Sequence, residues 1–317
     1  MTRDFPAAHA SVFRGAAALA AALLWISPAA CGGGDDDGDD GGDASDAAPG
    51  ADASTDRTTG FVANPAGIIQ ILEGYPGEGG IAVFASLRDR AEAPAATLLA
   101  SEGDCEIWTH PTERPECDPP CDGVCVADDV CEPFPVPVSA GEIAVTGLNE
   151  ELRFVPNEFG YRTEPDKLPE DLFDAAAAIE ATAAGDDAPA FTLSVEGVAP
   201  LMPDLDLDFD VTLVIEDDVD EVIRWIPESS GRVQLGLQVG WHGAAYEALL
   251  VCEADDAAGE LVVPGSLIER FPLRVNPTGE AHSSWIARFA RDVIDGPAGP
   301  IELFVASRAI ILQIEHR

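Results

Sequence analysis

The stretch DLDLDFDV, residues 204–211, carries the clearest structural signal in this chain of 317 residues. Acidic and apolar residues alternate along it, and alternate side chains of an extended strand point to opposite faces. The pattern predicts a strand with its Leu, Phe and Val side chains in a core and its Asp side chains in water. Successive acids on such a strand lie about 6.8 Å apart, so we expect solvated carboxylates rather than a tight calcium site.

Many other short segments have strand character, and clusters of Gly, Pro, Asn and Asp separate them. The predicted strands are 67–72, 81–87, 96–100, 142–148, 190–195, 232–239, 248–253, 285–290 and 301–305 with 309–314. Short strands between such turns are typical of packed sheets. We predict an all-β, β-sandwich-like fold over residues 61–317, as one large domain or two packed sub-domains. An immunoglobulin-like topology is one form that such a sandwich takes.

The segment 169–184 carries conflicting signals. Acids near its start, an alanine run and Gly185 just after it are helix signals. Ile179, Ala181 and Ala183 also alternate, as strand residues do, and they lead directly into the predicted strand 190–195. These patterns alone favour helix and strand equally.

The first 30 residues have the three parts of a secretory leader: early arginines, the apolar run 16–26 and the small residues 27–30 before Cys31. The apolar run is shorter than the roughly 20 residues that span a bilayer. We predict that residues 1–30 are a signal peptide and that Cys31 is lipidated and holds the protein to a membrane. Pro28 departs from the Leu-like residue usual at that position, so plain secretion is the alternative. Gly32, where an Asp would favour inner-membrane retention, points to the outer membrane.

Residues 32–60 contain nine Asp, one Arg and no large apolar residue. Such a segment cannot bury enough surface to offset the entropy of ordering it. We expect residues 31–60 to be a lipidated Cys followed by a disordered linker, about 30 Å long as a flexible coil. The acidic run 35–43 could be read as a calcium site, but an unfolded chain offers no preformed cage.

The predicted domain, residues 61–317, is strongly acidic, with 48 Asp and Glu against 14 Lys and Arg, a net charge of −34. Binding to nucleic acid requires clustered Lys and Arg, so we expect no nucleic-acid partner. Anionic lipid surfaces are disfavoured for the same reason. The charge suits solubility in saline water or loose association with cations and basic proteins.

Six cysteines remain after Cys31, an even number that suits three disulfides in an exported protein. They are Cys105, Cys117, Cys121, Cys125, Cys131 and Cys252, of which the first five fall in a Cys-rich segment, 105–131. A zinc knuckle is the rival interpretation, but its usual two-residue gaps are absent. Six cysteines allow fifteen pairings. The preferred one joins Cys117 to Cys125, Cys121 to Cys131 and Cys105 to Cys252.

No catalytic motif is present: the chain has no nucleophile elbow, no His-Glu-x-x-His, no phosphate-binding glycine loop and no dinucleotide fingerprint. We predict no enzymatic activity, no catalytic or metal-ligating residue and no cofactor. We expect the tryptophans to pack in or near the core rather than to form a sugar-stacking platform. Arginines on predicted strands, such as Arg232, Arg288 and Arg308, are expected to pair with nearby acids.

Five stretches together carry a resemblance: CDPPCDGVCVADDVCEPFP (117–135), AGEIAVTGL (140–148), PAFTLSVEGVAP (189–200), IRWIP (223–227) and VCEADDAAGELVVPGSLIERFP (251–272). They resemble an abundant set of uncharacterised exported lipoproteins of myxobacterial type, which have a Cys-rich segment, β-rich sequence, a Trp-x-Pro element and a late Asp/Gly turn. The resemblance covers roughly residues 105–275. It implies a cell-envelope location, an all-β fold and a strand around Ile179, and it supplies no catalytic residue.

Three functions are then in competition. The leading hypothesis is a non-catalytic lipoprotein of the cell envelope that binds an unknown surface component or has a structural role. The second is a secreted-type hydrolase acting on polysaccharide, which a paired Glu or Asp of raised pKa in a cleft near Trp would favour. The third is a calcium-dependent adhesion module, which clustered loop carboxylates would favour.

Overall fold

The computed structural model describes residues 60–74, 81–110, 115–165, 167–169, 171–202, 211–228, 230–240, 246–272 and 284–316. The predicted leader, Cys31 and the linker lie outside this part of the chain, as do residues 204–210 of the alternating stretch. The final residue of that stretch, Val211, begins a strand.

The regular secondary structure of the described chain is almost entirely β, which confirms the predicted fold class. Its strands are β1 Gly67–Glu73, β2 Ala82–Leu87, β3 Thr97–Glu102, β4 Cys105–Thr109, β5 Val124–Ala127, β6 Val130–Glu132, β7 Ile143–Thr146, β8 Leu152–Asn157, β9 Gly160–Glu164, β10 Ala178–Ala183, β11 Phe191–Glu196, β12 Val211–Ile215, β13 Glu221–Arg224, β14 Arg232–Gly240, β15 Tyr246–Asp255, β16 Glu260–Val263, β17 Ser284–Gly296 and β18 Gly299–His316. The one α-helix of the described chain is α1, Gly265–Arg270, and a single 3₁₀ turn spans Asp256–Ala258.

A nine-stranded sheet forms the frame, in the order β2-β1-β18-β17-β14-β15-β4-β3, with β12 also paired to β18. Strands β1 and β12 run parallel to β18 and pair with its first and last parts respectively. The other neighbours in this sheet are antiparallel. The long strand β18 therefore joins the two ends of the molecule.

A β-bulge in β18 keeps the apolar residues of both its halves on the same face of the frame. The register against β17 shifts so that Arg308 and Ala309 lie opposite the single residue Ala287, and Arg308 has a φ of 47°. An extra residue in a strand reverses its alternation. Odd-numbered residues such as Val305 face the core before the bulge and even-numbered ones such as Ile310 face it afterwards. This explains why the sequence pattern predicts two segments, 301–305 and 309–314, where one strand exists.

A second sheet, in the order β11-β10-β7-β8-β9, packs on half of one face of the frame and makes the sandwich. Its Ile143, Phe154 and Ile179 share a buried cluster with Ile71 and Leu303 of the frame. A hydrogen bond from the backbone N–H of Ser194 to Asp292, 2.8 Å long, also ties the two sheets together. The described sheets have nine and five strands, against about seven to nine in total for an immunoglobulin domain.

The other half of the same face is covered by smaller elements. The antiparallel pair β13–β16 and the helix α1 pack against the frame strands β12, β14, β15 and β4, in a cluster that includes Trp225, Leu235 and Phe271. The opposite face of the frame carries a third cluster, with Phe289 and Trp285 buried and the arm of residues 60–66 laid over it. Phe61 of this arm packs against Trp108, with ring centroids 6.2 Å apart.

The structure resolves the conflict at 169–184. Residues 171–177 form no helix, and Ala178–Ala183 is strand β10, with Ile179, Ala181 and Ala183 buried and the residues between them exposed. Alternation therefore outweighs the helix signals here. The helix that does form, α1, was not predicted, and it has only six residues.

Candidate functional site

Three disulfides brace the described chain: Cys105–Cys252, Cys117–Cys125 and Cys121–Cys131. They are the three pairs preferred from the sequence. Cys105 and Cys252 lie directly opposite each other in β4 and β15, so this bridge staples the frame across 147 residues of chain. Disulfides form and persist in oxidising compartments, so the domain belongs to an oxidising, extracytoplasmic environment.

The other two disulfides build a separate module, residues 115–137, here called the finger. They tie the segment that carries Cys117 and Cys121 to the hairpin of β5 and β6. None of the finger's residues is buried. The module has no apolar core, and its covalent bridges replace one.

The surface of the finger combines acids with exposed apolar side chains. It contains six Asp and Glu and no Lys, Arg or His. Val130, Phe134 and Val136 are 48%, 54% and 56% exposed. Solvent-facing apolar groups on a braced module are typical of an interaction surface.

The finger is attached to the edge strand β2 through residues 136–138. The carboxylate of Asp89 accepts a hydrogen bond from the backbone N–H of Val136 at 2.9 Å, and the backbone N–H of Asp89 donates to the Val136 carbonyl at 3.0 Å. The N–H of Val138 donates to the Leu87 carbonyl at 3.0 Å. Arg90 pairs with Asp89 at 2.8 Å. This pairing is the main cause of the lowered pKa of Asp89, and the hydrogen bond from the Val136 N–H is the second.

A cleft of about 190 Å³ lies beside this attachment, at the end of the sandwich. Its apolar surface comes from Ala66, Leu87, Val138, Ala188 and Ile301, and the turn between β17 and β18 forms one wall. The charged residues of the lining are Arg88, Asp89 and Asp187. The finger and the cleft therefore occupy the same end of the molecule.

A broader and more open depression of about 550 Å³ lies on β8 and β9. Its four charged side chains compensate each other: Arg153 pairs with Glu151 at 2.7 Å, and Arg162 pairs with Glu164. These groups are exposed, and such pairs contribute little energy. This depression presents no unbalanced charge to a ligand.

Two buried acids, Glu253 and Glu302, form a network with Arg291 on the opposite face of the frame. Arg291 donates to both carboxylate oxygens of Glu253, at 2.9 and 3.0 Å, and its Nε donates to Glu302. The guanidinium also donates to the Gly60 carbonyl at 3.0 Å and lies 4.8 Å from the ring centroid of Phe289. This arrangement fastens the N-terminal arm to the sheet.

Burial raises the pKa of Glu302, against the attraction of Arg291. Burial also pushes the pKa of Arg291 down, but the charges of Glu302 and Glu253 outweigh this and raise it overall. Trp285 is linked to the same network, because its indole N–H donates to Gln234 at 3.0 Å and Gln234 donates to Glu253 at 2.7 Å. Neither of the two clefts is lined by these carboxylates.

A second buried charge lies between the two core clusters on the covered face of the frame. Arg288 is fully buried, and its guanidinium donates to Asp256 at 2.8 Å. The same group donates to the carbonyls of Ala199, Pro200 and Ile226, at 3.1, 2.8 and 2.9 Å. Asp256 also accepts the backbone N–H of Glu228 at 2.6 Å. The Trp-x-Pro element and the late Asp/Gly turn therefore meet at this arginine.

The predicted roles of the aromatic and basic residues can be followed in the described chain. Trp225 and Trp285 are buried and Trp108 is half-buried, while Trp241 lies outside the described residues. Burial lowers the pKa of His110, whose ring lies 3.1 Å from the Pro94 carbonyl. The predicted pairing of arginines is confirmed for three residues: Arg232 with Glu253, Arg288 with Asp256, and Arg308 with Asp171.

The acids of these networks were not predicted from the sequence. In a chain with 58 Asp and Glu, no local pattern marks Glu253, Asp256 or Glu302 as buried. The few Arg residues on predicted strands could have pointed to these acids. A buried arginine requires an acid nearby, so each such Arg indicates that a buried Asp or Glu lies close to it.

Comparison with known proteins adds no relative: no protein-family model matches this chain, and no curated protein matches it. In the described part of the chain, no helix is long and apolar enough to cross a membrane. The same residues contain no group of three or more His, Cys, Asp or Glu side chains arranged to hold a metal ion.

Proposed function

We propose that this protein is a lipoprotein of the cell envelope, anchored through Cys31, whose β domain has a non-catalytic binding role. The finger end of the sandwich is the binding end. The acidic linker would hold the domain about 30 Å from the anchor and leave the finger end accessible to a partner. Outer-membrane placement, and membership of the exported lipoproteins that the chain resembles, are part of the same proposal.

The observation that carries this proposal is the finger. None of its residues is buried, so it has no apolar core, yet two disulfides brace it. Rigid presentation reduces the entropy lost on binding. A module that is braced, exposed and partly apolar is suited to contact another molecule.

The charge of the finger indicates the kind of partner. Six acids without a compensating base favour a protein surface with a basic rim around an apolar patch. Phe134 and Val136 are the anchors we expect to enter that patch, because apolar and aromatic side chains dominate the energy of interfaces. Repulsion from the acids disfavours anionic lipid and nucleic acid.

The proposal is tested with the exported chain carrying Cys31→Ser, which removes the anchor, and envelope fragments of the native host. We expect this chain to sediment with the fragments and the double variant Phe134→Ser/Val136→Ser to lose most of that binding. Phe159→Ser is the matched control, since Phe159 is 84% exposed on a different turn. Sedimentation that is equal for all three chains would contradict the proposal.

The hydrolase alternative has one specific observation in its favour. Glu302 has a raised pKa and shares a network with Glu253 and Trp285. Both carboxylates, however, are engaged by Arg291, whereas a general acid must be free to transfer its proton. A screen of ester, peptide and glycoside substrates decides between the two functions: turnover abolished by Glu302→Gln in a folded protein would establish the hydrolase.

A further inference from the structure

The cleft beside the finger has a preformed shape. Several segments of the chain meet at it, and backbone hydrogen bonds join neighbouring segments. These bonds run from the Ala66 N–H to the Pro300 carbonyl at 2.9 Å, from the Arg88 N–H to the Ala66 carbonyl at 2.9 Å, and from the Ala188 N–H to the Ser139 carbonyl at 2.8 Å. Small-molecule sites are usually preformed concavities of this kind. The cleft can therefore accept a ligand without rearrangement of the fold.

Glycine makes the turn wall tight. Gly299 has a φ of 132°, in the region that other residues rarely adopt. A Cβ at Gly296 would lie 3.0 Å from the side chain of Ile301, which forms part of the apolar floor. The turn can approach the floor because these two positions lack side chains.

The floor and the rim of the cleft have different chemistry. Ala66, Leu87 and Ile301 are buried and apolar, and the cavity of about 190 Å³ has room for about six water molecules. That is space for one phenyl ring or a short branched alkyl group. A single apolar group is the largest element that the floor can accommodate.

The rim carries one uncompensated charge. Arg88 lies 3.6 Å from the carboxylate of Glu92, and Asp89 is paired with Arg90. Asp187 lines the cleft, is exposed, and has no ion-pair partner among the residues that the structure describes. Its neighbour Asp186 is also exposed and adds a second negative charge nearby.

We propose that this cleft binds an aralkyl amine, with the aromatic ring on the floor and the ammonium group beside Asp187. This inference rests on the proposed binding function and names its ligand class. The net charge of −34 on residues 61–317 raises the local concentration of such cations and acts in the same direction.

The test uses three probes of one shape, benzylammonium, benzyl alcohol and phenylacetate, with the exported Cys31→Ser chain labelled at its methyl groups for NMR. We expect benzylammonium to shift the methyl signals of Leu87, Val138 and Ile301 with a Kd on the order of 1 mM. Benzyl alcohol should bind more weakly, and phenylacetate should not bind detectably.

Two variants in the cleft and one control outside it show where benzylammonium binds. Asp187→Asn should lower the affinity for benzylammonium about two- to fivefold, which is the contribution of one exposed ion pair. The control Asp174→Asn removes an exposed acid outside the cleft lining and should leave the affinity unchanged. Ala188→Leu should abolish binding by filling the floor, with the remaining methyl spectrum reporting that the fold is intact.

Phenylacetate binding as tightly as benzylammonium would overturn the ligand class, and shifts confined to methyl groups elsewhere would overturn the site. The sedimentation assay separates these failures from failure of the proposed function. If no probe binds while the chain still sediments through Phe134 and Val136, the cleft inference is wrong and the finger remains the binding surface.

Discussion

Arg288 shows how much of this structure depends on single residues. Its side chain is fully buried between two apolar clusters, and it gathers one carboxylate and three backbone carbonyls from distant parts of the chain. The expectation that it pairs with an acid is confirmed. The sequence does not show which acid pairs with Arg288, because Asp255 and Asp256 are adjacent. Only the 3₁₀ turn at Asp256–Ala258 places Asp256 in the interior.

Replacing Arg288 with Met should destabilise the domain by about 3–5 kcal/mol, because Asp256 would remain buried without its partner. Urea unfolding of the two proteins measures the difference. Arg224→Met is the control, since Arg224 pairs with Glu260 on the exposed surface and such pairs contribute little. Equal unfolding midpoints for both variants would mean that Arg288 does not hold the two clusters together.

At the scale of elements, the predicted strands that fall within the described residues correspond to strands in the frame and the second sheet. Four of the missed strands, β5, β6, β13 and β16, have only three or four residues each and so show too few alternations to be recognised. Three longer strands, β4, β8 and β9, with five or six residues each, were also missed. The helix α1 was missed because six residues beginning at Gly265 show no helical period and no acid in the first turn. The finger and its mounting on β2 depend on contacts between distant segments, which a single sequence does not display.

The disulfides divide into two classes with different effects on stability. Breaking Cys105–Cys252 with two Ser substitutions releases a loop of 147 residues and should cost about 5 kcal/mol in the chain-entropy model. Replacing all four finger cysteines should leave the melting temperature of the frame nearly unchanged, because none of residues 115–137 is buried and none belongs to a core cluster. Calorimetry measures both effects. A finger variant that melts as early as the Cys105/Cys252 variant would show that the finger supports the core.

At the scale of the whole molecule, negative charge dominates the dependence of stability on pH. Burial raises the pKa of Glu92, Glu221 and Glu302 from the ordinary value of 4.5. Between 4.5 and those raised values the folded chain binds more protons than the unfolded chain, so stability increases as pH falls. Two groups of the described chain have the opposite effect. The lowered pKa of His110 reduces stability as the pH falls below its ordinary value of 6.5, and the lowered pKa of Asp89 does so below its ordinary value of 3.8.

Lowering the pH from 7 towards 4.5 should raise the free energy of unfolding, because three carboxyl groups of raised pKa and the loss of net negative charge act against His110, which opposes them in this range. Denaturant titrations at several pH values measure how the free energy of unfolding depends on pH. Glu302→Gln should weaken this dependence, whereas Glu180→Gln, on the exposed side of β10, should not. A wild-type free energy of unfolding that falls steadily from pH 7 to 4.5 would contradict the prediction.

Lipid anchoring through Cys31 is tested by phase partition of the exported protein in detergent, with Cys31→Ser beside the wild type. We predict that the wild type enters the detergent phase with its mature N-terminus at a lipid-modified Cys31, and that Cys31→Ser remains in the aqueous phase. Equal partition of the two proteins into the aqueous phase, with unmodified Cys31 in the wild type, would show that the domain is secreted free and not anchored.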